Sequence, residues 1–260
     1  MNLYYLARKD QGLTRGNWGD VISRSVYGCI LLSIVLGASL YGQEVPLGKT
    51  SLGAGIYYSP TSSRILIGAS RDRRIAAVDF DYSRLLHSGK VGIYYDGTIT
   101  PALLEADLAI IGTIQNNGAY GQPTYFYKYS TPVRVVAEAP PRTSSGSGGA
   151  FNNLVYGRMQ SYAFAAEPFG VRANFAAHHR IQPLLMASGG FIYGQRPLPL
   201  DDATNFNFLF SFGAGFEVLE SRHQSIRFEY MLRHMSDANM GTENPGVDNQ
   251  TIRLTWSHRR

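Results

Sequence analysis

Thiol chemistry is almost missing from this sequence. Its 260 residues contain one cysteine, Cys29, inside an apolar stretch near the N-terminus. A single thiol supports neither an intramolecular disulfide framework nor a cysteine-rich metal site. Charge is also scarce: Asp, Glu, Lys and Arg make up 17% of the chain, and the net charge of +5 is spread without a basic run interleaved with aromatics. That distribution argues against a nucleic-acid-binding surface and fits a solvated basic one. Beyond residue 44 no segment approaches the ~20 apolar residues that a membrane-spanning helix requires.

Aromatics and glycine are plentiful, with 17 Tyr, 13 Phe and 28 Gly. Low charge with abundant Tyr, Phe and Gly suits an all-β protein better than a helical one. The length allows one sizeable domain.

A segment carrying Arg8, Lys9, Arg15 and Arg24 precedes the apolar run at residues 26–40, and small residues with Tyr41, Gly42 and Gln43 follow it. This order reads as a secretory signal with a polar leader over residues 1–43. A single membrane anchor is the alternative, but the run is short for one. Cys29 lies at the start of the run, which does not suit a lipoprotein acylation site. The remainder, residues 44–260, reads as one β domain.

Period-two alternation marks residues 52–58, 64–70, 74–86 and 90–100 as strands, and β-like patterning resumes over 157–166, 170–176 and 180–194. Residues 106–115 fit a strand or a helix equally. Residues 139–150 (APPRTSSGSGGA) carry too much Pro, Ser and Gly to hold a strand, so a long mobile extracellular loop is expected near 116–155. The clearest alternation comes later. Phe206, Phe208, Phe210, Phe212, Ala214, Phe216 and Val218 share one parity, whereas Asn207, Ser211, Gly213, Gly215 and Glu217 share the other, with Leu209 the apolar exception. Ile226, Phe228, Tyr230 and Leu232 repeat the pattern, as do Ile252, Leu254 and Trp256. A strand places alternate side chains on opposite faces. In a soluble barrel the apolar parity points inward, and in a membrane barrel it meets lipid. The aromatic wall of an exported, disulfide-free chain favours the membrane form, an antiparallel outer-membrane β-barrel of about eight strands, with Arg227, Glu229, Arg233 and Arg253 paired in its interior.

Chemistry concentrates in residues 233–250 (RHMSDANMGTENPGVDNQ). His234 and Ser236 continue the outward parity of one strand and Asp248 that of the next. Antiparallel pairing with His234 opposite Asp248 brings their Cβ atoms to about 4.5–5.5 Å. A serine hydroxyl needs an imidazole to take its proton, and the imidazole needs a carboxylate to fix its tautomer. The intervening loop, with Gly241, Asn244 and Gly246, offers donors for an oxyanion. The alternative for H-x-S is a strand-end histidine and a turn serine, but polar groups facing lipid are costly in a purely structural barrel.

The string HMSDANMGTENPGVD resembles the active-site signature of the outer-membrane lipid A 3-O-deacylase (PagL-type) family, and residues from Phe169 onward are similar to acyloxyacyl-hydrolase-like proteins. The resemblance covers roughly 169–256. It implies an eight-stranded outer-membrane barrel with lipid A, the anchor of lipopolysaccharide, as substrate. It also implies Ser236 as nucleophile, His234 as base and Asp248 as acid, and matches Asn244 to a loop Asn of the oxyanion region, beside which the loop reading sets Gly241; no metal and no cofactor are expected. The sequence departs from the family at two positions. Asp237 stands where the family usually has Asn, and could repel an oxyanion if aimed at it. Asp248 stands where Glu is common, and a shorter carboxylate must come closer to the imidazole. Glu243 is a competing acid.

Other polar groups are expected to do less. His178 and His179 are adjacent and lack a third ligand, so they read as a turn. Glu167, Asp201, Asp202 and the cluster from Arg71 to Arg74 read as turn or rim charges, the last near lipid phosphates. Two other readings remain: a non-catalytic structural or adhesive barrel whose long loop is the functional part, and a soluble exported lipid-binding barrel.

Overall fold

The computed structural model describes residues 48–63, 65–68, 70, 72–116, 123–126, 131–132, 144–145, 150–199, 203–241 and 246–260. The expected signal, residues 1–43, lies outside these residues. So do 117–122, 127–130, 133–143 and 146–149 of the expected loop.

Eight long strands run antiparallel: β1 (Thr50–Ser59), β2 (Arg74–His87), β3 (Val91–Asn116), β4 (Ala150–Phe175), β5 (Ile181–Leu198), β6 (Thr204–Leu219), β7 (Gln224–Ser236) and β8 (Val247–Arg259). Each pairs with its sequence neighbours, and β1 pairs with β8 from Ser51↔Arg259 to Tyr58↔Ile252. The sheet is therefore a closed eight-stranded barrel. Closure leaves no row of unpaired backbone groups along an open edge, the one way strands can stand in hydrocarbon.

The side chains sort as the alternation predicts, with the apolar parity outside. Leu52, Ile56, Phe80, Phe164, Tyr193, Phe208, Phe210, Ile252, Leu254 and Trp256 are exposed. The polar parity is buried inside as a network of arginines and carboxylates. Arg253 donates to Asp79 (2.9 Å), Asp81 (2.9 Å) and Glu229 (3.3 Å), and Arg227 donates to Asp81 (2.8 Å). Arg172 bridges Asp96 (2.8 Å) and Glu217 (2.7 Å) and lies over the Tyr94 ring at 4.4 Å. This inverted pattern is that of a membrane barrel rather than a soluble one.

The two rims differ. Residues 88–90, 176–180 and 220–223 make tight turns at one end, whereas at the other end the strands β1 and β2, β3 and β4, β5 and β6, and β7 and β8 are separated in sequence by 14, 33, 5 and 10 residues. Outer-membrane barrels have short periplasmic turns and long extracellular loops.

Several expectations change. Residues 106–115 are strand, the outer half of β3, which pairs with β4 along nearly its whole length. The stretches 157–166 and 170–176 belong to one strand, β4, apart from Ala176 in the following turn; its register with β5 shifts between Ala166 and Phe169. Glu167 is not a rim charge. It lies inside the barrel, accepts from Ser188 (2.7 Å) and Ser211 (2.8 Å) and pairs with Arg233. Arg73 is buried against Asp107 at 2.6 Å, and Arg74 alone of that cluster's described arginines is exposed. In the Pro/Ser/Gly run, Ser144–Ser145 pairs with Phe151 and Ala150. The expected strand at 64–70 is not a strand: its described residues form a turn and one isolated bridge, at Ser70.

Candidate active site

β7 is a strand because apolar Ile226, Phe228, Tyr230 and Leu232 alternate with residues suited to the polar interior. It stops at Ser236, where the chain turns with Ala238 (φ 53°) and Asn239 (φ 62°) both left-handed. Asp237 holds this turn. Its Oδ1 accepts the Asn239 N–H and its Oδ2 the Gly241 N–H, each at 3.0 Å. The N–H of Gly241, expected to face an oxyanion, is thus engaged by Asp237. Both Asp237 oxygens serve the turn, a role open to the short carboxylates.

The β7–β8 register places His234 opposite Asp248, and His234 Nδ1 lies 2.6 Å from Asp248 Oδ1. Asp248 is 1% exposed although it has the outward parity. What covers it is the β1–β2 connection. Its Oδ2 accepts three backbone N–H groups: Ile65 (3.2 Å), Leu66 (2.6 Å) and Gly68 (2.9 Å). A carboxylate held this way offers its other oxygen to the imidazole in a fixed direction, and a proton on Nδ1 leaves Nε2 free to accept.

Ser236 lies two residues beyond His234 on the same face, half-buried and paired with Phe208 of β6. Two residues of strand separate such positions by ~7 Å along the chain. No hydrogen bond joins them: His234 Nε2 is buried without a partner among the described residues. Gly246 borders the ring. Its φ is +59°, and a Cβ there would sit 3.0 Å from His234 Cε1 and 3.3 Å from the Gly68 Cα. On the interior side, Met235 and Val247 belong to an apolar cluster with Tyr57, Leu103, Leu198 and Leu209. Packing behind the pair limits how far the ends of β7 and β8 can flex.

Asn244 and Glu243 lie outside the described residues, as do Asp201 and Asp202. His178 and His179 occupy the 176–180 turn at the opposite rim. Among the described residues no group of three His, Cys, Asp or Glu is placed to hold a metal. Sequence reasoning missed Ile65, Leu66 and Gly68 because they act through backbone N–H groups. The nearest signal was Gly68 and the turn-forming string Ser59, Pro60, Thr61, Ser62, Ser63 ahead of it.

No curated protein matches the sequence. Among solved structures, the outer membrane enzyme PagL is similar at a TM-score of 0.44 and 11% identity, over 79% of this chain and 97% of that one. Neisserial surface protein A gives 0.44 and 8%, over 82% and 98%, and Ail of Yersinia pestis gives 0.38 and 11%, over 83% and 100%. The sequence model of the family described as lipid A 3-O-deacylase (PagL) matches residues 89–257, from the start of β3 nearly to the end of β8, a span that includes His234, Ser236 and Asp248. The chain belongs to the lipid A 3-O-deacylase (PagL) family.

Proposed function

We propose that this chain is an outer-membrane esterase that removes an ester-linked acyl chain from lipid A, by 3-O-deacylation, with Ser236 as nucleophile, His234 as general base and Asp248 as orienting acid. The observation that carries this reading is the His234–Asp248 pair, hydrogen-bonded at 2.6 Å on the outer wall of the barrel. It lies at the rim with the long connections, the extracellular end by the asymmetry of such barrels. Export through residues 1–43 would deliver the chain to that membrane. There the site meets a lipid substrate within the leaflet and needs no cavity.

The chemistry follows from the two ends of the imidazole. Asp248 holds the proton on Nδ1, so Nε2 takes the Ser236 proton as Oγ attacks the ester carbonyl. Collapse of the tetrahedral species breaks the carbonyl–alkoxide bond, and Nε2 returns the proton to the leaving sugar oxygen. Water, activated by the same nitrogen, then releases the fatty acid and regenerates Ser236. Asn244 is assigned as the oxyanion donor. Catalytic hydrogen bonds often tighten only when substrate binds, and the unpartnered Nε2 is consistent with that.

The same unpartnered nitrogen also favours a second reading, a non-catalytic barrel in which His234 and Asp248 only fasten the rim. Mass spectrometry of lipid A from cells expressing wild type and Ser236→Ala separates the two. Loss of one hydroxyacyl chain with wild type only supports the esterase. Loss with both, or with neither, defeats it.

A further inference from the structure

We infer that the turn at residues 65–68 is a positioning element for the catalytic acid, one that fixes the reactive tautomer of His234 through Asp248; this rests on the deacylase reading above. Three backbone donors converge on one carboxylate oxygen, Asp248 Oδ2, at 2.6–3.2 Å, and leave Oδ1 to the imidazole. Rotation of the carboxylate away from His234 would break all three bonds together. A carboxylate that is only being sheltered needs its lone pairs satisfied, not this division of labour between its two oxygens.

The turn is itself fastened on both sides of the acid. Ser63 N donates to Asp248 O (3.0 Å), Ser70 N donates to Gly246 O (3.1 Å), and Ser62 Oγ closes the neck onto Ser70 O (3.1 Å). Below the neck, Arg73 N donates to Ser62 Oγ (3.1 Å) while its buried guanidinium pairs with Asp107. Close approach depends on Gly68. A Cβ there would lie 2.7 Å from Asp248 N and 2.8 Å from Asp248 Cγ, distances at which either the turn or the acid must move. Gly68 and Gly246 thus let three segments, the turn, the start of β8 and the end of β7, meet around one imidazole. Two of the turn's side chains face outward, Leu66 39% and Ile67 78% exposed, while the bonds to the acid come from the backbone.

That separation of backbone from side chain provides the test. Leu66→Pro deletes the shortest donor, Leu66→Ala keeps it and removes only the side chain, and Gly68→Ala inserts the obstructing Cβ. Each barrel is reconstituted in nanodiscs, checked for heat-modifiable gel mobility and assayed on lipid A. Each is also labelled with ¹⁵N-histidine, with the His234→Ala spectrum assigning the resonance. The expected result is a single Nδ1–H tautomer in wild type and Leu66→Ala. In Leu66→Pro and Gly68→Ala a mixture of tautomers is expected, with kcat reduced at least about tenfold and KM within about twofold. Wild-type tautomer and kcat in folded Leu66→Pro or Gly68→Ala would overturn the inference. If proline prevents the barrel from closing, Gly68→Ala carries the test. Should wild type leave lipid A intact, the deacylase reading fails, while the tautomer comparison still decides the role of the turn.

Discussion

The two carboxylates near the candidate nucleophile have opposite assignments. Asp237 and Asp248 are both buried, yet the first is bound by its own turn and the second by a segment about 180 residues away. Aspartate suits each place for the same reason: a short side chain keeps its oxygens close to backbone donors. Asp248→Asn removes the charge and turns one oxygen into a donor, which cannot accept from the 65–68 turn and the imidazole at once. Deacylation is expected to fall on the order of 10⁴-fold, with the barrel still heat-modifiable, measured by single-time-point lipid A mass spectrometry across an enzyme dilution series. Gly246→Ala combines a left-handed backbone at φ +59° with a Cβ 3.0 Å from the His234 ring. Its backbone strain is about 1–2 kcal/mol. Chemical denaturation should show that modest loss, alongside a fall in kcat out of proportion to it.

At the scale of strands, the interior network is where stability is most exposed to mutation. Arg253 touches Asp79, Asp81 and Glu229 from the centre of β8. Arg253→Leu strands buried carboxylates, and breaking such a set costs about 3–5 kcal/mol, readable as a lowered denaturant midpoint of the folded gel band. Strands β6, β7 and β8 were legible in the sequence because their alternation runs through most of their length, broken on the inward parity only by Leu209, Met231, Met235 and Val247. The His234↔Asp248 register followed from the same counting. Glu167 was not legible, since Pro168 and the register shift beside it break the alternation that would have turned it inward. Residues 65–68 were misread for a different reason. Ile65, Leu66 and Ile67 look like strand residues by composition, while their actual work is done by N–H groups that every non-proline residue shares. No local pattern reports a bond to a carboxylate far along the chain.

For the molecule as a whole, the decisive property is the inversion of polarity across the wall. Phe228, midway along β7, faces outward and stacks with Phe216 at 5.6 Å between ring centroids. Phe228→Arg should destabilise the barrel by about 2–4 kcal/mol if placed at the bilayer midplane, and less toward either interface. The measurement is reversible unfolding in lipid vesicles, and an unchanged midpoint would contradict a lipid-facing wall.

The seam between β1 and β8 has a consequence for timing. The donors to Asp248 come from the connection just after the first strand, and Asp248 is the second residue of the last, 180 positions after Gly68. A chain still assembling can bring His234 and Ser236 to one strand end, but its carboxylate stays unanchored until the first and last strands meet. On the proposed deacylase reading, activity therefore depends on completion of the barrel. Activity during refolding should then rise only with the last, closed species.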